Sequence, residues 1–109
     1  MSGQEPSAAR KMLGDFAPKL VDLTDDVLFG DVWERPELAK RDRSLVTVAS
    51  LITSGSTEQL VNHLRLAKQN GLTEDELKEA MIHLAFYAGW PNAFSAVPVV
   101  KGVFDSRRN

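Results

Sequence analysis

The sequence predicts an all-α fold, a compact bundle of five to six helices. Residues that typically end helices divide the chain into segments of helical length. The apolar residues within these segments recur at helical spacing. No segment is a convincing strand, and there is no internal repeat or low-complexity linker. The predicted stops are at Gly30, Gly55, Gly71 and Gly89.

The first clear helix is predicted to open at Pro18, because proline is favoured in the first turn of a helix, and to run to about Phe29. Its apolar face consists of Leu20, Leu23 and Val27. This spacing places all three side chains on one side of the helix.

The segment 43–53 admits two interpretations. It is almost continuously apolar and contains β-branched residues, so its pattern alone is compatible with a buried strand. Its length of about eleven residues and the Ser54-Gly55 stop that follows favour a buried helix.

Two capping boxes predict the starts of the next two helices. In the first, the Ser56 hydroxyl is expected to accept a hydrogen bond from the backbone N–H of Gln59, whose side chain reaches back. Thr73 and Glu76 repeat this pattern. The helix between them is predicted to close at Gly71, since glycine readily adopts the left-handed conformation of a C-terminal cap.

The helix from Thr73 is predicted to be apolar on nearly every side. Ile82 and Phe86 lie outside its inward stripe. A helix of this kind needs burial on both sides, so we expect the chain to pair with copies of itself. The stripe consists of Leu77, Ala80, Met81, Leu84, Ala85 and Ala88.

A last helix is predicted to start at Pro91 and to run to about Phe104. Pro98 lies inside this segment, where its ring and missing N–H should kink the helix or end it early.

Length and composition indicate a single globular domain, residues 11–109, preceded by a flexible tail, residues 1–10. No apolar run approaches the roughly 20 residues that span a bilayer, and the polar start lacks the apolar core of a signal peptide. We therefore expect a cytoplasmic protein without a membrane partner. Basic residues are scattered in a chain of net charge −2, which argues against nucleic-acid binding.

The chain contains no cysteine. Disulfides, thiolate metal ligands and thiol redox chemistry are therefore excluded. Two histidines on separate helices without a nearby third ligand make a poor metal site, so no metal is expected. No cofactor motif is present either.

Several motifs together resemble those of the carboxymuconolactone decarboxylase family. The stretch 29–38, FGDVWERPEL, is similar to the family's FGD-x-W-x-RPGL, with Glu37 in place of the usual glycine. The match continues through RSLVTVA at 43–49, EQLVNHLR at 58–65, NGLT at 70–73 and YAGWP at 87–91. The resemblance implies a helical bundle of the carboxymuconolactone decarboxylase and alkylhydroperoxidase type. It also implies assembly into a ring, as a homotrimer or homohexamer.

A sister branch of this family performs peroxidase chemistry with a Glu, two Cys and a His. The corresponding positions here are Ser44, Ser56, Gln59 and His63, so three of the four groups are absent. Serine and glutamine cannot supply the thiolate that reduces peroxide. The resemblance therefore points to the decarboxylase branch, and Ser56 and Gln59 are interpreted as structural.

Three residues are candidates for catalysis. His63 could be a hydrogen-bonded core residue, but the resemblance aligns it with a histidine that both branches keep at the site. His83 is spaced to form a structural trio with Glu79 and Tyr87, which is an alternative to a catalytic role. Glu58 lies about 140° around the helix from His63 and complements the helix dipole, yet it matches the first glutamate of the family motif.

Arg43, Trp33, Tyr87 and Trp90 are candidates for substrate binding. Arg43 is either a solvated residue at the start of its helix or a buried residue that binds an anion. The second interpretation is favoured because the planar set of guanidinium N–H donors suits a carboxylate. The aromatic residues would supply apolar walls, although such residues at helix ends are more often part of a core.

The resemblance implies cofactor-independent decarboxylation of a small lactone carboxylate, 4-carboxymuconolactone or a related carboxylated butenolide, in aromatic-compound degradation. The ring accepts the electron pair. The protein supplies a cation for the carboxylate that stays, a hydrogen-bond donor for the enolate oxygen, a proton for carbon and an apolar wall that keeps water from the leaving carboxylate. Arg43 would supply the cation. His63, with help from His83, would supply the enolate donor and the proton, and Trp33 and Trp90 would form the apolar wall. The alternatives are a non-catalytic oligomeric binding protein and a family enzyme with a different substrate.

Overall fold

A computed structural model describes residues 6–105, and every regular element within that range is helical. This confirms the predicted all-α class. The elements are α1 (Ala8–Leu13), α2 (Pro18–Asp22), a π-helix (Leu23–Phe29), a 3-10 turn (Val32–Glu34), α3 (Lys40–Thr53), α4 (Thr57–Gln69), α5 (Glu74–Tyr87) and α6 (Trp90–Phe104). The chain divides into two units, Met1–Leu38 and Ala39–Asn109.

The N-terminal unit begins with α1, whose first turn includes residues 8–10 of the predicted tail. Ser7 caps this helix by accepting from the backbone N–H of Arg10, and its hydroxyl donates to a carboxylate oxygen of Asp25 over 2.8 Å. Val21 is the fully buried side chain of α2. These contacts tie the short helices of the unit together.

Pro18 opens α2 as predicted, but the helical run does not continue to Phe29 as an α-helix. From Leu23 the backbone widens into the π-helix, in which hydrogen bonds reach back five residues instead of four. Gly30 ends this run. A Cβ there would lie 2.8 Å from the carbonyl oxygen of Asp26, so only glycine fits without a shift.

The C-terminal unit contains α3 to α6. Residues 43–53 are helical, so the strand alternative is wrong, and the helix begins earlier than expected, at Lys40. Helix α3 packs against α4, and α6 packs against α4 and α5. The core is formed by Val48, Ile52, Leu60, Leu64, Ala67, Leu72, Leu77, Ala96, Val100 and Val103.

The two predicted capping boxes differ in outcome. At α5, the N–H of Glu76 donates to Thr73 Oγ1 over 3.1 Å, and the N–H of Thr73 donates to Glu76 Oε1 over 3.0 Å. The prediction at Ser56 was wrong. Its side chain makes no cap bond, because its backbone leaves the extended region that caps adopt and its hydroxyl lies 2.7 Å from that of Ser54.

Helix α6 continues through Pro98 to Phe104, so the proline does not end it early. At the start of α6, the Asn92 amide donates to the carbonyls of Thr53 and Ala88 over 3.0 and 3.1 Å. One side chain thus joins the ends of α3 and α5 to α6. In the described part of the chain, no helix combines the length and apolarity that a membrane span requires.

Candidate functional site

Arg43 and His63 lie on adjacent helices, α3 and α4. The Asn70 amide fixes their register by donating to Ser44 Oγ over 2.9 Å and to the carbonyl of Lys40 over 3.5 Å. In an antiparallel pair with this register, residue 63 lies opposite about residues 47–51, one to two turns from Arg43.

His63 is half-buried on α4, next to the fully buried Leu64. Its Nδ1 atom is buried, and desolvation lowers the pKa of the imidazole below its ordinary value of 6.5. The resting form at neutral pH is therefore the neutral imidazole. A neutral imidazole donates one hydrogen bond and accepts another, so it can stabilise a developing oxyanion without carrying a charge.

Arg43 is also half-buried, and its Nε atom is buried. The helix around it is fixed by side-chain bonds, since Thr47 Oγ1 donates to the carbonyl of Arg43 over 2.8 Å. The neighbouring Ser44 is completely buried under the Asn70 amide. Arg43 is therefore not a fully solvated flank of α3.

His83 lies on the exposed side of α5 and stacks on Tyr87, with ring centroids 4.8 Å apart. It lines a pocket of about 520 Å³ together with Glu79, Arg41 and Glu76. Arg41 forms an ion pair with Glu76 at the edge of this pocket. The backbone N–H of Thr73, with a further contribution from Arg41, holds the pKa of Glu76 below its ordinary value of 4.5.

The two candidate tryptophans are in different units. Trp33 is buried in the N-terminal unit, where it stacks on Phe29 with centroids 5.7 Å apart. Trp90 is 55% exposed at the start of α6 and meets Phe86 edge to face at 5.7 Å. Glu58 is exposed on the first turn of α4.

Neither Arg43 nor His63 lines any of four pockets found among the described residues. His83 lines one of these pockets and Trp90 another. Within residues 6–105, no group of three or more His, Asp or Glu side chains could share a metal ion.

Sequence reasoning missed two residues near the site. Asn70 was interpreted only as part of a helix end, although it belongs to the NGLT motif and its amide joins α3 to α4. Arg41 was not considered, because it lies before the segment in which the helix was predicted to begin. Its ion pair with Glu76 depends on a contact between distant parts of the chain, which no local pattern indicates.

Sequence comparisons with known proteins identify relatives of this chain. The chain is 40% identical over 92 residues to 4-carboxymuconolactone decarboxylase of Acinetobacter baylyi, covering 84% of this chain and 69% of the relative. It is 38% identical over 80 residues to nitrosuccinic acid decarboxylase of Metarhizium robertsii, covering 73% of this chain and 56% of the relative. The model of the carboxymuconolactone decarboxylase family matches residues 18–102, and the chain therefore belongs to that family.

Proposed function

We propose that the protein is a carboxy-lyase that converts 4-carboxymuconolactone, or a closely related carboxylated butenolide, to the enol-lactone in aromatic-compound degradation. The observation that carries this proposal is the 40% identity to 4-carboxymuconolactone decarboxylase over most of the chain. Both curated relatives are named decarboxylases, which supports the reaction class independently of the substrate.

The substrate provides its own electron sink. The bond to the carboxylate on the ring carbon that bears the lactone oxygen breaks, and CO2 leaves. Its electron pair moves through the ring double bond to the lactone carbonyl and forms a dienolate. Protonation at carbon then gives the enol-lactone, so one proton is consumed for each CO2 released. The protein needs to stabilise the enolate oxygen and to keep water from the leaving carboxylate.

Arg43 is assigned to the carboxylate that stays on the substrate. A guanidinium binds a carboxylate through two parallel hydrogen bonds, and a half-buried position strengthens these bonds relative to water. The half-buried side chain and its buried Nε atom support this role.

His63 is assigned to the enolate oxygen. Its lowered pKa makes the neutral imidazole the resting form, which donates an N–H hydrogen bond as negative charge develops. Proton delivery to carbon is assigned to the same histidine, with His83 as an exposed second source. Trp90 and Tyr87 are proposed as apolar walls, and Glu58 stays a candidate for a secondary role.

The second relative favours one alternative within the same reaction class. Nitrosuccinic acid is a dicarboxylic acid in which a nitro group, instead of a lactone, can accept the electron pair. Its decarboxylase is 38% identical to this chain. A different substrate with two carboxylates and an adjacent electron sink is therefore the second candidate.

A direct assay tests the proposal. Purified protein is incubated with 4-carboxymuconolactone, and enol-lactone formation and CO2 release are followed together. We expect both products in equal amounts without added cofactor. Turnover of nitrosuccinic acid but not of the lactone would support the second candidate. Absence of turnover with both compounds, in a folded protein, would favour a non-catalytic binding role.

A further inference from the structure

Asn70 is the C-terminal cap of α4 and is followed directly by Gly71. It is the only asparagine in the chain that precedes a glycine. This pair of residues is chemically reactive in peptides, because glycine has no side chain to hinder attack of its backbone nitrogen on the preceding side chain. Gly71 is exposed, and a Cβ built on it would have no neighbour within 4 Å. The surroundings therefore leave the backbone free space at this position.

The reaction open to this pair is an intramolecular deamidation that needs only water. The Gly71 nitrogen attacks the side-chain carbonyl carbon of Asn70, and the new C–N bond closes a succinimide ring. The bond from that carbon to Nδ2 breaks, and ammonia leaves with the proton of the attacking N–H. Water then opens either imide bond and leaves an aspartate or an isoaspartate at position 70. No oxidant, reductant or cofactor takes part.

The folded backbone holds the pair away from the reactive geometry. Ring closure requires the Gly71 nitrogen to lie on the same side of the Cα–C bond as the Cβ of Asn70. The ψ of Asn70 is 3°, which instead places the Gly71 nitrogen beside the backbone nitrogen of Asn70. The backbone must therefore rotate by about a third of a turn. The Gly71 N–H must also leave the carbonyl of Lys68, to which it donates over 3.2 Å.

The Asn70 side chain is held by the contact between α3 and α4. Its Nδ2 atom donates to Ser44 Oγ over 2.9 Å and to the carbonyl of Lys40 over 3.5 Å. Ser44 is fully buried, so its bond to the amide lies in surroundings of low dielectric constant, which strengthen it. These bonds must break before the side chain can turn toward Gly71. The Ser44 contact therefore limits how often local opening reaches the reactive geometry.

We propose that Asn70 is a site of spontaneous deamidation and that its contact with Ser44 controls the rate. The modification also changes the contact, because it replaces an amide donor by a carboxylate, which only accepts hydrogen bonds. A carboxylate cannot donate to the Lys40 carbonyl, and its charge is costly at the half-buried position 70. Deamidation should therefore loosen the junction of α3 and α4. This proposal is independent of the proposed function, because no substrate enters it.

Mass spectrometry of proteolytic peptides measures the reaction in the full-length protein. Samples are incubated at alkaline pH, where the attacking nitrogen loses its proton more readily, with and without urea. We expect exchange of NH2 for OH at Asn70, more slowly in the folded than in the urea-unfolded protein. Ser44→Ala should raise the folded-state rate roughly five- to thirtyfold, since it removes the acceptor of the Nδ2 bond. Ser50→Ala, the same change at an exposed position of α3, is the matched control and should keep the wild-type rate.

Asn70→Asp introduces the product carboxylate directly and tests the effect on the junction. Its free energy of unfolding should be lower than that of Asn62→Asp, which adds the same charge at an exposed position of α4. Equal stability of the two variants would overturn the loosening of the junction. Circular dichroism checks that each variant is folded.

Two further outcomes would overturn the proposal. Faster modification of Asn62 or Asn92 than of Asn70 in the unfolded chain would contradict the assignment of the site. Equal rates at Asn70 in the folded and unfolded wild type would contradict control by the fold, and this comparison needs no variant. A folded Ser44→Ala protein with the wild-type rate would contradict control by Ser44.

Discussion

At the scale of single residues, His63 carries the sharpest prediction. His63→Ala should lower kcat by roughly a hundred- to ten-thousand-fold with a smaller change in KM, because the lost hydrogen bond acts mainly as the enolate forms. His63→Gln should recover part of this loss, since its amide also donates an N–H. Steady-state kinetics on the lactone measures both variants, and Gln59→Ala, one turn earlier on α4, is the control. Near-normal turnover in His63→Ala would make His63 a core residue.

The pKa of His63 gives a prediction about stability. In the folded state this pKa is lowered, whereas the unfolded chain titrates near 6.5. Between the two values the unfolded state binds more protons, so the free energy of unfolding should fall as pH falls through this window. Urea unfolding from pH 8 to pH 5 tests this, and His63→Leu should lose the dependence. An equal pH dependence in both proteins would show that another group is responsible.

Arg43 should behave differently from His63. If its guanidinium holds the spectator carboxylate equally in the ground and transition states, Arg43→Ala raises KM by about tenfold or more and changes kcat less. Arg43→Lys should recover only part of the affinity, because an ammonium group cannot form the planar pair of bonds. A selective loss of kcat in Arg43→Ala would place the guanidinium at the reacting carbon instead.

The sequence indicated these residues but not their environment. His63 and Arg43 stand out because the motifs around them resemble those of a known family. The lowered pKa of His63 could not be predicted, since it depends on how deeply α4 packs. Asn70 carried a signal in its motif, yet its role required the contact across 26 residues with Ser44.

At the scale of elements, caps that look alike in sequence differ in structure. Thr73→Ala should cost about 1 kcal/mol of unfolding free energy, because it removes the hydroxyl that accepts from the first turn of α5. Ser56→Ala removes a hydroxyl at the other predicted cap and should cost clearly less, because Ser56 makes no cap bond. Chemical denaturation of both variants provides the comparison. Equal losses would contradict the structural distinction.

The failed predictions of elements have local physical causes. The pattern 56–59 satisfies the capping-box rule, but the Ser54 hydroxyl two residues earlier lies within hydrogen-bond distance of Ser56. The spacing of Leu20, Leu23 and Val27 fits an α-helix, but it cannot distinguish α from π hydrogen bonding over seven residues. Pro98 removes one helical bond, yet α6 continues to Phe104, so the early end is wrong, whereas the alternative of a kink stays a prediction.

At the scale of the whole molecule, the small chain and its exposed apolar side chains predict an obligate oligomer. A 109-residue chain has little interior of its own, and large side chains in both units are uncovered, including Phe16 at 90% and Phe86 at 75% exposure. We expect light scattering to give three or six times the 12.0-kDa mass of one chain.

Thermal unfolding provides an independent test of the predicted oligomeric state. When folding and association are linked, mass action stabilises the native protein as its concentration rises. The Tm should therefore increase between low and high micromolar protein, whereas that of a folded monomer would stay constant. A Phe86→Lys and Phe94→Lys double variant should show a weaker dependence if the oligomer covers these two exposed side chains. A wild-type Tm independent of concentration, together with a 12.0-kDa species in solution, would contradict the oligomer.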